Sequence, residues 1–155
     1  MLFALGTIGL LLLSALGTGI FSYASSLNYP GGHAMELLHT MHSGSPGASI
    51  PAYVHIGNLA ATTGVSRFGE VNPYWTYSKE EGLDATDLQQ RPFTHLISEF
   101  ENVESYKSVA SVSGYSGGSI NRNLSLSYPL PFIVHTSPQL WIHIRTANFA
   151  SARNP

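Results

Sequence analysis

Charge is the scarcest commodity in this sequence. Asp, Glu, Lys and Arg make up 10% of the 155 residues, against roughly 25% in a typical soluble domain. None of them occurs before Glu36, so the deficit is local and divides the chain into two regions. Cysteine is absent, which excludes a disulfide framework and any thiolate metal site but leaves the redox compartment open. Five Arg and two Lys are scattered, with a formal net charge of −2. No basic stripe exists to track a phosphodiester backbone, so no nucleic-acid partner is expected. The chain also lacks G-x-S-x-G, H-E-x-x-H and P-loop patterns, the local signatures of serine hydrolases, zinc peptidases and nucleotide phosphate binders. It has no internal repeat and no long low-complexity tract.

What is present begins with "LFALGTIGLLLLSALGTGIFSYA", residues 2 to 24. About 20 apolar residues suffice to cross the hydrocarbon core as a helix. Gly6, Gly9, Gly17 and Gly19, with neighbouring Ala and Ser, would let a second helix approach closely. Residues 1–24 are therefore expected to form a transmembrane helix, with Phe21, Tyr23 and Tyr29 as aromatic anchors at its exit. A secretory signal is the competing reading. It is supported by the small residues of "SYASS" and opposed by the missing basic n-region and the length of the run.

"NYPGGHAMELLH" follows, and residues 25–33 read as an interfacial turn. Pro30 can open a helix, and Gly31 and Gly32 remove side chains that would block close approach. A helix N-terminus at this depth is suited to an anion, and a plain change of direction is the competing reading. Residues 34–146 then read as one small α/β domain, and 147–155 as a tail. Ala34, Leu37, Leu38 and Met41 form one helical face, opposite His33, Glu36 and Thr40. "SGSPG" at 43 to 47 ends that helix. "AYVHI" (52–56) is β-rich, and "LAATTGVSRF" is helix-like. "PYWTYSK" (73–79) alternates as a strand does. "EEGLDATDLQQRP" reads as a polar loop, and Phe93 to Phe100 as a short helix bearing Phe93, Leu96, Ile97 and Phe100 on one face. "YKSVASVSGY" (106–115) reads as a strand and "SGGSINRNLS" as a loop. "PFIVHT" and "LWIHIRT" read as two strands separated by Ser137-Pro138. Leu140, Ile142 and Ile144 are expected on one face of the last strand, with Trp141, His143 and Arg145 on the other. The expected domain is an α/β sandwich with a sheet of four or five strands.

Few residues advertise chemistry. His33, His39 and His42 share a helix, but only Glu36 lies near them. Surface or interfacial histidines compete with a ligand set, and no metal is expected. Ser66 and Arg67 in "TGVSRF" suit a phosphate or a glycan hydroxyl, unless Arg67 pairs with Glu70 or caps carbonyls. Tyr74, Trp75 and Tyr77 suit stacking on sugar rings, unless they are core. Seven of the nine acids fall between Glu80 and Glu104, and none stands out as a buried general base. Asn123-Leu124-Ser125 is a glycosylation sequon, meaningful only on the lumenal side.

Five strings occur in order: "NYPGGHAMELLH", "VHIGNLAATTGVSRF", "WTYSKEE", "THLISEF" and "VASVSGYSGGSINRNLS". With them the chain resembles the C-terminal part of the dolichol-phosphate-mannose-dependent α-1,6-mannosyltransferases of N-glycan assembly. The resemblance runs from the apolar helix to about Arg145. It implies a fragment of a multi-pass GT-C membrane enzyme of the endoplasmic reticulum. Such an enzyme transfers mannose, with inversion, from dolichyl-phosphate mannose to the lipid-linked Man7GlcNAc2 oligosaccharide. The implied partners are those two substrates, membrane lipid and the N-terminal part of the same enzyme. No cofactor is implied. The family's catalytic acids lie in its first lumenal loop, so no catalytic residue is expected in this chain. It would supply the last span and the lumenal C-terminal domain, with Met1 an internal start or a gene-model boundary. Candidate substrate contacts are Asn28, Tyr29, Gly31, Gly32, His33, Ser66, Arg67, Trp75 and Tyr77. One departure stands out: the family usually has Asp where this chain has Gly57, with Asn58 available as a substitute N-cap. The alternative to the enzyme fragment is a non-catalytic, membrane-anchored lumenal module that binds glycan or a partner subunit.

Overall fold

The computed structural model describes residues 2–43, 50–123 and 132–146. The chain divides into two compact units, and β4 and β5 contribute residues to both. The first unit holds residues 2–28 together with parts of 115–137. Its main element is α1, Leu2–Ser26, 25 residues with no buried side chain. By length and composition α1 can cross a membrane, with a mean hydropathy of 1.9. A Cβ on Gly6, Gly9, Gly17 or Gly19 would meet nothing within 4 Å, so the small-residue faces of α1 are open.

The second unit is α/β. Its elements are α2 (Pro30–His42), β1 (Ala52–Ile56), α3 (Asn58–Thr62), β2 (Trp75–Ser78), α4 (Ala85–Gln90), β3 (His95–Ser98) and its share of β4 (Tyr106–Ile120) and β5 (Phe132–Arg145). A 3-10 turn covers Arg67–Gly69. The five strands are ordered β2-β1-β3-β5-β4. β1 runs parallel to both β2 and β3, and β3 runs antiparallel to β5. One cluster buries Ala34, Met35 and Leu38 of α2 and Ala60 of α3 with Val54, Ile56, Ile97 and Ile142 of the sheet. A second gathers Leu88 of α4 with Phe93, Leu96, Val103 and Tyr106. Successive strand residues point to opposite faces, so Ile97 and Leu96 separate the two clusters, and both faces of the sheet are covered.

That double coverage corrects the helix expected over 93–100. β3 occupies His95–Ser98, and all four of its residues are buried. A strand packed on both faces carries no alternation, and its apolar run imitated a helical face. The polar loop expected around 80–92 instead contains α4. Asp84 is its N-cap and accepts from the Thr86 and Asp87 amides, while the Asp87 side chain accepts from the Asp84 amide. This reciprocal box stabilises a short helix that buries only Leu88. Arg145 secures the other end, donating from Nε to the Phe93 carbonyl (2.6 Å) and from Nη2 to the Gln89 carbonyl (3.4 Å).

The two final strands are one. β5 runs unbroken through Ser137-Pro138. Within β5, β3 pairs with Trp141 to Ile144, so Pro138 falls where β3 requires no amide from it. β4 likewise continues to Ile120, through much of the expected loop. On the face of β5 expected to carry Trp141, His143 and Arg145, His143 is fully buried, its Nε2 2.9 Å from the Phe100 carbonyl. The helix does open at Pro30, so residues 30–33 of the expected interfacial turn are its first turn. The helix-like stretch from Leu59 shortens to α3, because Gly64 (φ +114°) turns the chain into the Arg67 turn. Most of "SGSPG", residues 124–125 of the sequon and the tail 147–155 lie outside the described residues.

Candidate functional site

The two most specific strings of the sequence meet at the start of α2. The Gly31 amide donates to Thr63 Oγ1 (3.0 Å) and the Gly32 amide to the Thr63 carbonyl (3.2 Å). Thr63 Oγ1 in turn donates to the Leu59 carbonyl (2.6 Å). A Cβ on Gly31 would fall on the Ala60 carbonyl. The helix start is thus seated on the end of α3, and two of its amides already have protein acceptors. Tyr29, His33, Ser66 and Arg67 are exposed in the second unit, and Asn28 is exposed in the first. Glu70 pairs with Lys79 at 3.1 Å rather than with Arg67.

Trp75 and Tyr77 have different surroundings. Trp75 is buried, 5.2 Å from the His39 ring, 5.1 Å from His42 and 5.8 Å from His95. Tyr77 is half-buried, its hydroxyl 2.8 Å from His39 Nε2. Tyr74 is the exposed aromatic of this strand region. Burial lowers the pKa of His39 and, with the neighbouring charge of His42, brings that of His95 down to about 4. Four rings around one indole make a packed aromatic core, and Trp75 offers no open face for stacking. Among the described residues, no three His, Asp or Glu side chains are placed to hold a metal ion.

A third location was not singled out from the sequence. The parallel strands β1, β2 and β3 end on the same edge of the sheet, where ligands of open α/β sheets are found. Gly57 and Asn58 after β1, Glu80 to Leu83 after β2, and Ser98 to Phe100 around the end of β3 surround a cleft of about 210 Å³. His55 and Leu88 also line it. His55 is 3% exposed, packs on Phe93 with ring centroids 4.8 Å apart, and leaves Nδ1 without a hydrogen-bond partner. Its burial lowers its pKa, partly offset by the Glu99 and Glu80 carboxylates. Three Glu residues divided between two separate loops give no local motif, so this convergence was invisible before the strands were ordered.

Gly57 acquires a physical meaning here. It is the N-cap of α3, and no side chain of its own or of Asn58 caps that helix. Glu99 reaches across from the end of β3, and its Oε1 accepts from the Leu59 amide. A Cβ on Gly57 would lie 2.6 Å from Glu99 Oε2. Glu99 therefore supplies the carboxylate at the start of α3, and a side chain at 57 would crowd it.

Over 102 residues, 66% of its length, the chain is 42% identical to a Drosophila melanogaster protein named Dol-P-Man:Man(7)GlcNAc(2)-PP-Dol alpha-1,6-mannosyltransferase. Over 133 residues, 84% of its length, it is 33% identical to an Arabidopsis thaliana protein of the same name. The chain spans 14% and 25% of the length of these two relatives. No family model matches the chain. No solved structure matches it.

Proposed function

We propose that this chain, a homologue of part of the Dol-P-Man-dependent α-1,6-mannosyltransferases, is the C-terminal portion of such an enzyme and serves its acceptor side. The observation that carries the reading is the 42% identity over 102 residues. In this reading α1 is the last membrane span and the α/β unit is lumenal, in the endoplasmic reticulum. Dolichyl-phosphate mannose is the donor and the lipid-linked Man7GlcNAc2 oligosaccharide the acceptor. The transfer chemistry belongs to the preceding part of the enzyme. The exposed group Tyr29, His33, Ser66 and Arg67 is a contact surface for the acceptor or its phosphate, with Arg67 as its cation.

The reading is tested in cells lacking the α-1,6-mannosyltransferase. A full-length relative carrying this chain in place of its own homologous segment is expected to restore the missing mannose, read by mass spectrometry of the lipid-linked glycans. The chain alone is expected to restore none. A chimera that accumulates normally yet leaves the glycan one hexose short would overturn the assignment. In the active chimera, Arg67→Ala is expected to lower transfer more than protein level, and an equal fall in both would remove Arg67 from the contact surface.

A further inference from the structure

We infer, given the membrane placement of α1 proposed above, that the hydrocarbon ends on this helix near Leu16, ten residues before Ser26, and that the β4–β5 hairpin rests on the lipid headgroups. The observations all lie within the first unit, residues 2–28 with the described part of 115–137.

The hairpin lies along the C-terminal half of α1. At one end the Tyr115 amide donates to the Leu27 carbonyl (3.0 Å). Further along, Phe132 and Val134 of β5 share an apolar groove of about 320 Å³ with α1 residues between Ala15 and Tyr23. Gly17, Ile20, Ala24 and Leu27 recur at helical spacing and are partly covered, while the residues beside them are exposed. From Leu27 back to Ala15 a helix covers about 18 Å, and the strand from Tyr115 to Ile120 covers about 17 Å. The two run side by side toward the N-terminus of α1.

Hydrocarbon is a poor place for such a ribbon. Open strand edges present backbone groups that only water or another strand can satisfy, and they do not occur exposed to lipid tails. β4 ends the strand order, and β3 pairs with β5 only from Trp141 onward, so among the described residues no further strand flanks the hairpin. Its side chains are polar as well: Ser116, Ser119, His135, Thr136 and Ser137, with Ser119 Oγ 2.8 Å from His135 Nε2. The hairpin therefore occupies the headgroup layer and the water above it, and the stretch of α1 beside it does the same.

The composition of α1 changes at the same level. Residues 2–16 contain two hydroxyl side chains, Thr7 and Ser14, whereas residues 17–26 contain five. Phe21 and Tyr23, both exposed, then fall in the headgroup layer, where aromatic rings are favoured. Ile120 and Arg122 are exposed at the far end of the hairpin and suit the boundary with lipid, the cation toward phosphate and the apolar group toward the tails. Leu2 to Leu16 covers about 22 Å of a hydrocarbon core of about 30 Å. In the enzyme proposed above, the part ahead of this chain supplies the rest of the crossing.

The chain has no cysteine, so single-cysteine variants of the whole chain can be spin-labelled in lipid nanodiscs without background. Collision rates with lipid-soluble oxygen and with a water-soluble nickel chelate then report depth. Leu11, Thr18 and Ser25 are exposed along nearly one side of α1, so labels there leave the hairpin contact intact. The Leu11→Cys label is expected to collide mainly with oxygen and the Ser25→Cys label mainly with the chelate. Labels in Thr18→Cys and Ile120→Cys are expected at the crossover between the two. A Thr18 label as deep in lipid as the Leu11 label would overturn the boundary and leave α1 as a membrane helix. A Leu11 label in water would overturn the membrane placement of α1 and the boundary with it. An Ile120 label in bulk water would overturn the contact of the hairpin with the headgroups.

Discussion

Gly31 shows how much one missing side chain carries. Its amide and that of Gly32 are held by Thr63, and its Cα faces the Ala60 carbonyl. Two effects of opposite sign compete at this position. Ala is favoured over Gly within a helix by about 0.5–1 kcal/mol, whereas forcing a methyl into packed backbone costs about 1–3 kcal/mol. The obstacle is backbone, which cannot swing aside, so the clash wins. Gly31→Ala is expected to lower the unfolding free energy of the α/β unit by about 1–2 kcal/mol, measured by denaturant titration of the chain in detergent. Gly32→Ala is the control, because its Cβ would stand 3.6 Å from the Gly64 carbonyl oxygen, an ordinary contact. A Gly31 variant as stable as wild type would mean that α2 is not seated on α3 as described. The sequence marked both glycines as sites of close approach. It did not say that what approaches is the end of α3 rather than a ligand, because Thr63 lies far away along the chain.

Short elements depended on partners that single-sequence periodicity does not contain. α2 was legible because one face is buried and the other exposed, so Ala34 and Leu38 recur at helical spacing. β3 was not, because α3 and α4 cover opposite faces of its sheet and remove the alternation. α4 was readable in principle from Asp84 and Asp87, three residues apart, but a single buried Leu88 leaves almost no apolar pattern. α3 is the extreme case, since its cap comes from Glu99 on another loop. This gives a sharp expectation. Gly57→Asp places a second carboxylate against Glu99 and is expected to destabilise the unit by about 1–3 kcal/mol. Glu99→Ala alone removes the cap at a cost of about 1 kcal/mol. Combined, the two substitutions are expected to come within about 0.5 kcal/mol of wild type, since one carboxylate again serves the helix. Additive losses in the double mutant, read from the same denaturant titrations, would show that the two positions do not share one role.

Across the whole molecule, the buried histidines set a pH dependence. His39, His55, His95 and His143 all have lowered pKa values, with burial the largest cause in each. Their folded forms are neutral, while the unfolded chain takes up protons near pH 6.5. Below that pH the unfolded state binds more protons, so stability falls as the solution is acidified. For His95, lowered to about 4, the loss is about 3 kcal/mol once the pH has passed from 6.5 to below 4. Thermal melts of the chain are expected to hold steady above pH 7 and to drop below pH 6. His95→Phe should flatten part of that drop, and an identical pH profile in the variant would remove His95 as a contributor.

The division of the chain into an uncharged apolar helix and a mixed α/β region was determined by composition alone, because burying charge in hydrocarbon is prohibitive and the first charge is Glu36. So were α2, β1 and the lack of cysteine. Strand order, the meeting of Gly31 with Thr63, the capping of α3 by Glu99 and the carboxylate cleft around His55 were decided only by the tertiary structure. Each joins residues distant in the chain. A parallel sheet brings together the ends of strands whose loops share no spacing rule, so its edge cannot be read from local pattern.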